Sequence, residues 1–160
     1  MPLSSLREYL DKHSVRYIVI SHSLAYTAQG VAALTHIPGK ELAKTVIVKM
    51  DGKLAMAVVP GSFHVSLNLL NKETMAKVVE LASEADFMDR FPECETGAMP
   101  PFGNLYGIDV FVDESLAQDK KIAFNAGSHR ELIRLAWEDF ERLVKPKMIR
   151  IATGKTAQAA

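Results

Sequence analysis

The chain has 160 residues and 17.6 kDa, with nineteen Lys plus Arg against nineteen Asp plus Glu and a formal charge of zero. That length fits one domain able to bury a core without staples, and 48% hydrophobic with 24% charged residues excludes a disordered or coiled-coil chain. A neutral total excludes a protein coated in nucleic-acid-binding positive charge. One cysteine, Cys94, excludes an intramolecular disulfide and a cysteine zinc cluster. The first ten residues include Arg7 and Glu8 and lack an apolar signal core. No stretch reaches the roughly 18 apolar residues that span a bilayer. The expectation is one cytoplasmic domain over residues 1–155, with a disordered tail at 156–160 and no membrane contact.

Ser5 with Glu8 fits a capping box for a helix over residues 5–13. Residues 16–21, with Tyr17, Ile18, Val19 and Ile20, read as a strand. Thr27 can cap a helix running to about His36, stopped by Pro38-Gly39. Two apolar runs, residues 44–50 and 53–59, flank Asp51-Gly52, a strong hairpin signal ended by Pro60-Gly61. Residues 66–82 carry helical apolar spacing with a break near Asn71, and Ser83 with Asp86 caps a short helix before Phe91-Pro92. A Pro- and Gly-rich loop fills residues 92–104. Strands follow at 106–112 and 122–125, then a helix at 137–143 and a last strand at 148–151. Helices and strands intermix without clean βαβ alternation, which points to α+β: a mixed, largely antiparallel, barrel-like sheet flanked by helices.

Several familiar motifs are missing. Gly154-Lys155-Thr156 has Ile149 where a phosphate loop needs glycine. The histidines are scattered without metal-ligand spacing, and no metal or cofactor is expected. There is no Gly-x-Ser-x-Gly elbow. Cys94 lies between Glu93 and Glu95, which disfavour a thiolate, so it reads as a passive thiol.

Three segments have the residue types of a reactive site, and each has two readings. Lys44 opens an apolar strand: its ammonium either reaches an anion or snorkels to water. Gly97, Pro101, Phe102 and Gly103 frame a stiff loop. That loop either offers free amides to a carbonyl oxygen or is only a rigid turn. Gly127-Ser128-His129 gathers an amide, a hydroxyl and an imidazole without a triad partner; it is either a site or a hydrogen-bonded turn.

The order of these segments (Lys-Thr-x-x-Val, then Gly-x-x-x-Pro-Phe-Gly, then Gly-Ser-His) resembles the YbaK family, the prolyl-tRNA editing-domain superfamily. The resemblance runs from about Leu6 to Ile151. It implies a compact mixed β-barrel flanked by helices, acting as a free-standing, trans-acting deacylase that hydrolyses the ester of mischarged tRNA without a metal. It maps catalytic roles onto Lys44, Gly97, Gly127 and His129. Substrate contacts map onto Pro101, Phe102, Gly103 and Ser128, and more weakly onto Tyr26, Thr27 and Gln29. The implied partner is the tRNA acceptor end, an aminoacyl-adenosine, with an aminoacyl-tRNA synthetase as a second candidate, and the implied state is a monomer. The rival from another class is a non-catalytic module that binds the acceptor end or a synthetase. The amino acid removed stays open among cysteine, alanine, serine and threonine.

Charge is unevenly spread. Arg142, Lys145, Lys147, Arg150 and Lys155 form an acid-free run, and Lys40, Lys44, Lys49 and Lys53 stand against only Glu41 and Asp51, while acids gather at residues 84–95. A small basic face touching a few acceptor-stem phosphates is the expectation.

Overall fold

A computed structural model describes residues 3–155; the tail expected at 156–160 lies outside the described residues. The hairpin forms as its sequence predicts. Strands β2 (Ala43–Met50) and β3 (Lys53–Pro60) pair antiparallel from Met50↔Lys53 to Ala43↔Pro60. Asp51 and Gly52 both take positive φ, 52° and 85°, as a two-residue hairpin turn demands. β3 is buried on both faces, so its residues serve two cores. Met56 and Val58 point to one, Ala55, Ala57 and Val59 to the other. The sheet around this hairpin has five strands. β5 (Val79–Leu81) lies antiparallel beside β2, and β6 (Asp109–Asp113) and β9 (Lys147–Ile149) extend it in parallel beyond β3.

One face of this sheet packs on a three-stranded antiparallel sheet of β1 (Tyr17–Ser21), β8 (Glu131–Ala136) and β7 (Lys121–Asn125). Helices α1 (Ser4–Lys12) and α5 (Trp137–Val144) close this larger core with Leu6, Leu10, Trp137 and Phe140. The other face is covered by α3 (Leu67–Thr74), through the fully buried Leu70, and by the ladder of β4 (Phe63–Val65) with β10 (Ala152–Lys155). Helix α2 (Ala28–Thr35) sets Val31 against Leu42, Ala123 and Leu132.

The α+β class and mixed, mainly antiparallel pairing are as the sequence predicts. The described strands form three sheets rather than one closed ring, and a single parallel bridge, Leu42↔Ala123, ties the three-stranded sheet to the start of β2.

Local differences have local causes. The α1 helix begins at Ser4 after Leu3, with no side-chain cap; the Leu3 amide instead donates to Ala126 O at 3.0 Å. The helix expected through residue 82 ends at Thr74, because Met75 turns left-handed, and the chain re-extends as β5. At Ser83 the predicted capping box is present, both bonds made, and it starts α4 (Glu84–Phe87). The last strand divides into β9 and β10, with the buried Ile151 between them.

Candidate active site

Directly after the Leu42↔Ala123 bridge, residues 43–47 of β2 and Phe124 and Asn125 of β7 line a cavity of about 340 Å³. That volume suits a small ligand group. Tyr26 and Val31 form one side, Leu81 and Phe87 another, and Thr96, Gly97 and Met99 close it from the loop. The capping box of α4 fixes the turn that presents Phe87.

Lys44 enters from the second residue of β2 and is half-buried. Its Nζ donates to Phe63 O at 2.6 Å, and among the described residues no carboxylate pairs with it. Burial pushes its pKa below the ordinary lysine value, since a low-dielectric wall disfavours charge. An ammonium whose one intrachain partner is a neutral carbonyl keeps donors for an anion or an acyl oxygen.

Gly97 lines the cavity at φ 85°. Among the described residues its N–H has no partner in the chain. It is therefore a donor ready for a ligand oxygen. Gly127 differs: its N–H already donates to Ala98 O at 2.9 Å, so it is not the free donor that sequence reasoning sought there. Its carbonyl accepts from Glu95 N at 2.8 Å, and Glu95 Oε1 accepts from His129 N at 3.0 Å. His129 Nε2 donates to Thr96 O at 2.7 Å, leaving Nδ1 buried without a partner. The Gly-Ser-His turn thus clasps residues 95–98 from behind. His129, 6% exposed, lies under Gly97 and carries the ring of Tyr26 at 4.9 Å.

The cavity brings together Tyr26, Lys44 and Gly97, with His129 and Gly127 one layer back. The other expected residues lie off its wall. Thr27 accepts from Gly30 N at 3.0 Å as the cap of α2, and Gln29 is exposed on that helix. Ser128 Oγ donates to Glu131 Oε1 at 3.3 Å. Pro101 is buried, and Phe102 is fully buried against Phe124 and Phe140. Gly103 is a packing glycine: a Cβ there would stand 2.3 Å from Ile108 O.

The profile described as "Aminoacyl-tRNA editing domain" matches residues 22–143. The chain belongs to this aminoacyl-tRNA editing domain family. Proline--tRNA ligases of Bacillus mycoides (strain KBAB4) and Bacillus cereus (strain AH187) are each 30% identical over 87 residues, 54% of this chain. The match spans only 15% of those ligases' own length. Among solved structures, hypothetical protein APE2540 superposes at a TM-score of 0.84 with 19% identity, covering 94% of this chain and 100% of its own. A candidate trans-editing enzyme for prolyl tRNA synthetase superposes at 0.80 with 16% identity, covering 93% of this chain and 95% of its own. Both likenesses are of fold.

Two wall residues of this editing domain were not singled out by sequence. Thr45 and Asn125 line the cavity, and Thr45 Oγ1 and Asn125 Oδ1 are buried without a hydrogen-bond partner. Thr45 is the second residue of the Lys-Thr-x-x-Val segment, without a role assigned to it, and Asn125 had only its place two residues before Gly127.

Proposed function

We propose that the protein is a trans-acting aminoacyl-tRNA deacylase of the cytoplasm, a monomer that clears mischarged tRNA by hydrolysing its ester. The observation that carries this reading is the cavity itself. It holds a half-buried lysine and a glycine amide that, among the described residues, have respectively no carboxylate partner and no acceptor, inside a family of editing domains. The partner is the acceptor end of the tRNA, with a synthetase as a second surface that can deliver it.

An aminoacyl ester is already activated. Water adds to the carbonyl carbon, the bond to the ribose oxygen breaks, and that oxygen leaves with a proton. Neither a metal nor a covalent nucleophile is required. Lys44 holds the terminal phosphate or orients the water. The Gly97 N–H meets the carbonyl oxygen as charge develops, a contribution of about 10²–10³ in rate for one such donor. His129 and Gly127 hold the loop that presents Gly97. The 2′-hydroxyl of the substrate assists the water, as the family resemblance implies.

The test is single-turnover deacylation of tRNA charged with cysteine, alanine, serine or threonine. The parent hydrolyses at least one of these, and Lys44→Ala slows it by about 100-fold or more. A folded Lys44→Ala protein as fast as the parent removes Lys44 from the mechanism. Retained tRNA binding with no hydrolysis across the panel would favour the non-catalytic acceptor-end module.

A further inference from the structure

Tyr26 is a large ring left 72% exposed at the mouth of the cavity it helps to line. A single exposed aromatic is ordinary, but this one is fixed in place. The chain before it is tied twice to the Gly-Ser-His turn: His22 N donates to Arg130 O at 2.8 Å, and Ala25 N to His129 O at 3.3 Å. The residue after it, Thr27, caps α2. Between these ties the ring packs on the imidazole of His129, with centroids 4.9 Å apart. Among the described residues His129 is its only ring partner, and no cation of the chain sits over it. A ring braced by one neighbour, held at both ends of its segment and mostly open to solvent is a preorganised stacking surface.

Its place relative to Gly97 says what stacks there. A Cβ on Gly97 would stand 3.5 Å from His129 Cε1, so the Gly97 backbone and the Tyr26 ring are neighbours across a single imidazole. In an aminoacyl-adenosine a single ribose separates the ester carbonyl from the nucleobase. With the carbonyl oxygen at the Gly97 N–H and the acyl group inside the cavity, the base comes out at the mouth, where Tyr26 stands. We propose that Tyr26 is the platform on which the terminal nucleobase of the substrate stacks, so that the mouth of the cavity is a nucleobase subsite separate from the acyl pocket. This inference rests on the deacylase reading for what enters the cavity. Losing one base–aromatic stack typically weakens binding by about 5- to 150-fold.

The experiment measures binding first, by NMR titration with adenosine 5′-monophosphate and with ribose 5-phosphate as the base-free control. The parent is expected to bind the nucleotide at least about 5-fold more tightly. Tyr26→Leu keeps an apolar body against His129 but has no π face, and should abolish that difference; Tyr26→Phe should restore it. The ring is mostly exposed, so neither variant opens a cavity in the core. On the aminoacyl-tRNA that the parent hydrolyses, Tyr26→Leu should raise KM by about 5-fold or more with little change in kcat, since the stack is made alike in the ground and transition states. A parent that binds the two ligands alike overturns the proposal. So does a difference that survives in Tyr26→Leu, or one lost in Tyr26→Phe, which would assign it to the phenol hydroxyl. A fall in kcat with KM unchanged also overturns it, because the ring would then act on the acyl group, through a cation–π contact with its α-ammonium. Nucleotide binding that depends on Tyr26, in a protein that hydrolyses no ester of the panel, overturns the deacylase reading alone and leaves the nucleobase subsite standing.

Discussion

Lys44 is a charge kept in a place that penalises charge, and the sign of that penalty gives a prediction. Burial pushes its pKa below the ordinary lysine value of 10.5, so the folded protein binds this proton less tightly than the unfolded chain does. Below the depressed value both states are charged and the folded state bears the whole desolvation cost. Between that value and 10.5 the folded state loses its proton first, the unfolded chain holds more protons, and stability rises with pH. Measured against Lys44→Met by denaturant melts, the parent should therefore gain stability across this alkaline window, the other lysines cancelling. Deacylation that depends on the ammonium should fall across the same window, read as the enzymatic rate over the uncatalysed one. Two curves moving the same way would detach the ammonium from the reaction. This residue was legible in the sequence because a charge stands at the mouth of an apolar run. Asn125 was not, since a carboxamide beside a turn reads the same whether its partner is backbone, water or ligand. Gly97 and Gly103 looked alike in sequence for a related reason. Only the fold shows that one frees an amide at a cavity while the other makes room for Ile108 O.

At the scale of elements, the β2–β3 hairpin is also an anchor for its neighbour. The Asp51 carboxylate accepts from Lys77 N at 3.0 Å and Val78 N at 2.8 Å, and the Asp51 amide donates to Val78 O at 2.9 Å. These bonds set the approach to β5, whose Leu81 lines the cavity. Asp51→Ala should cost about 2 kcal/mol, roughly 4–8 °C in Tm, because two amides lose their acceptor and alanine must hold a positive φ. Asp51→Asn should cost less, since its amide oxygen still accepts and asparagine tolerates that backbone. Equal melting of all three proteins would deny the anchor. The turn itself was readable because Asp-Gly between apolar runs has few other solutions. Strand β5 was hidden, because Met75, a residue with no stop signal, ends α3 and Val78-Val79 continues the helical spacing. Strand β8 was missed as well. Its residues are buried on both faces, so no alternation shows, and it runs straight into α5 at Trp137 without a turn residue between.

For the whole molecule, the question is where nineteen positive charges stand relative to one cavity. Several members of the two basic runs stand away from it. β2 rises about 3.3 Å per residue, so its far end, Met50, lies roughly 20 Å from Lys44. At that far end Lys53 and Lys147 share a depression with Asp51, Glu73 and Asp109, which offset them. Lys49 is answered by Glu80 at 3.8 Å and Asp86 at 3.6 Å. Lys44 itself, Lys40 in the 3-10 turn Gly39–Glu41 and Arg130 beside His129 remain close to the cavity in the chain. In the proposed deacylase, two or three cations meeting a single-stranded acceptor end give a log–log salt slope of about −0.7 per phosphate. Raising salt fourfold, from 50 to 200 mM, should then weaken tRNA binding about 10-fold in a filter or fluorescence titration. A loss of several hundred-fold would require about six phosphates, and so a grip from the far basic end. No loss at all would leave the apolar cavity and its hydrogen bonds as the entire binding energy. The expected intermediate value follows from geometry: on the deacylase reading, a protein with no net charge meets its substrate at one end of one sheet, where a few of its cations stand.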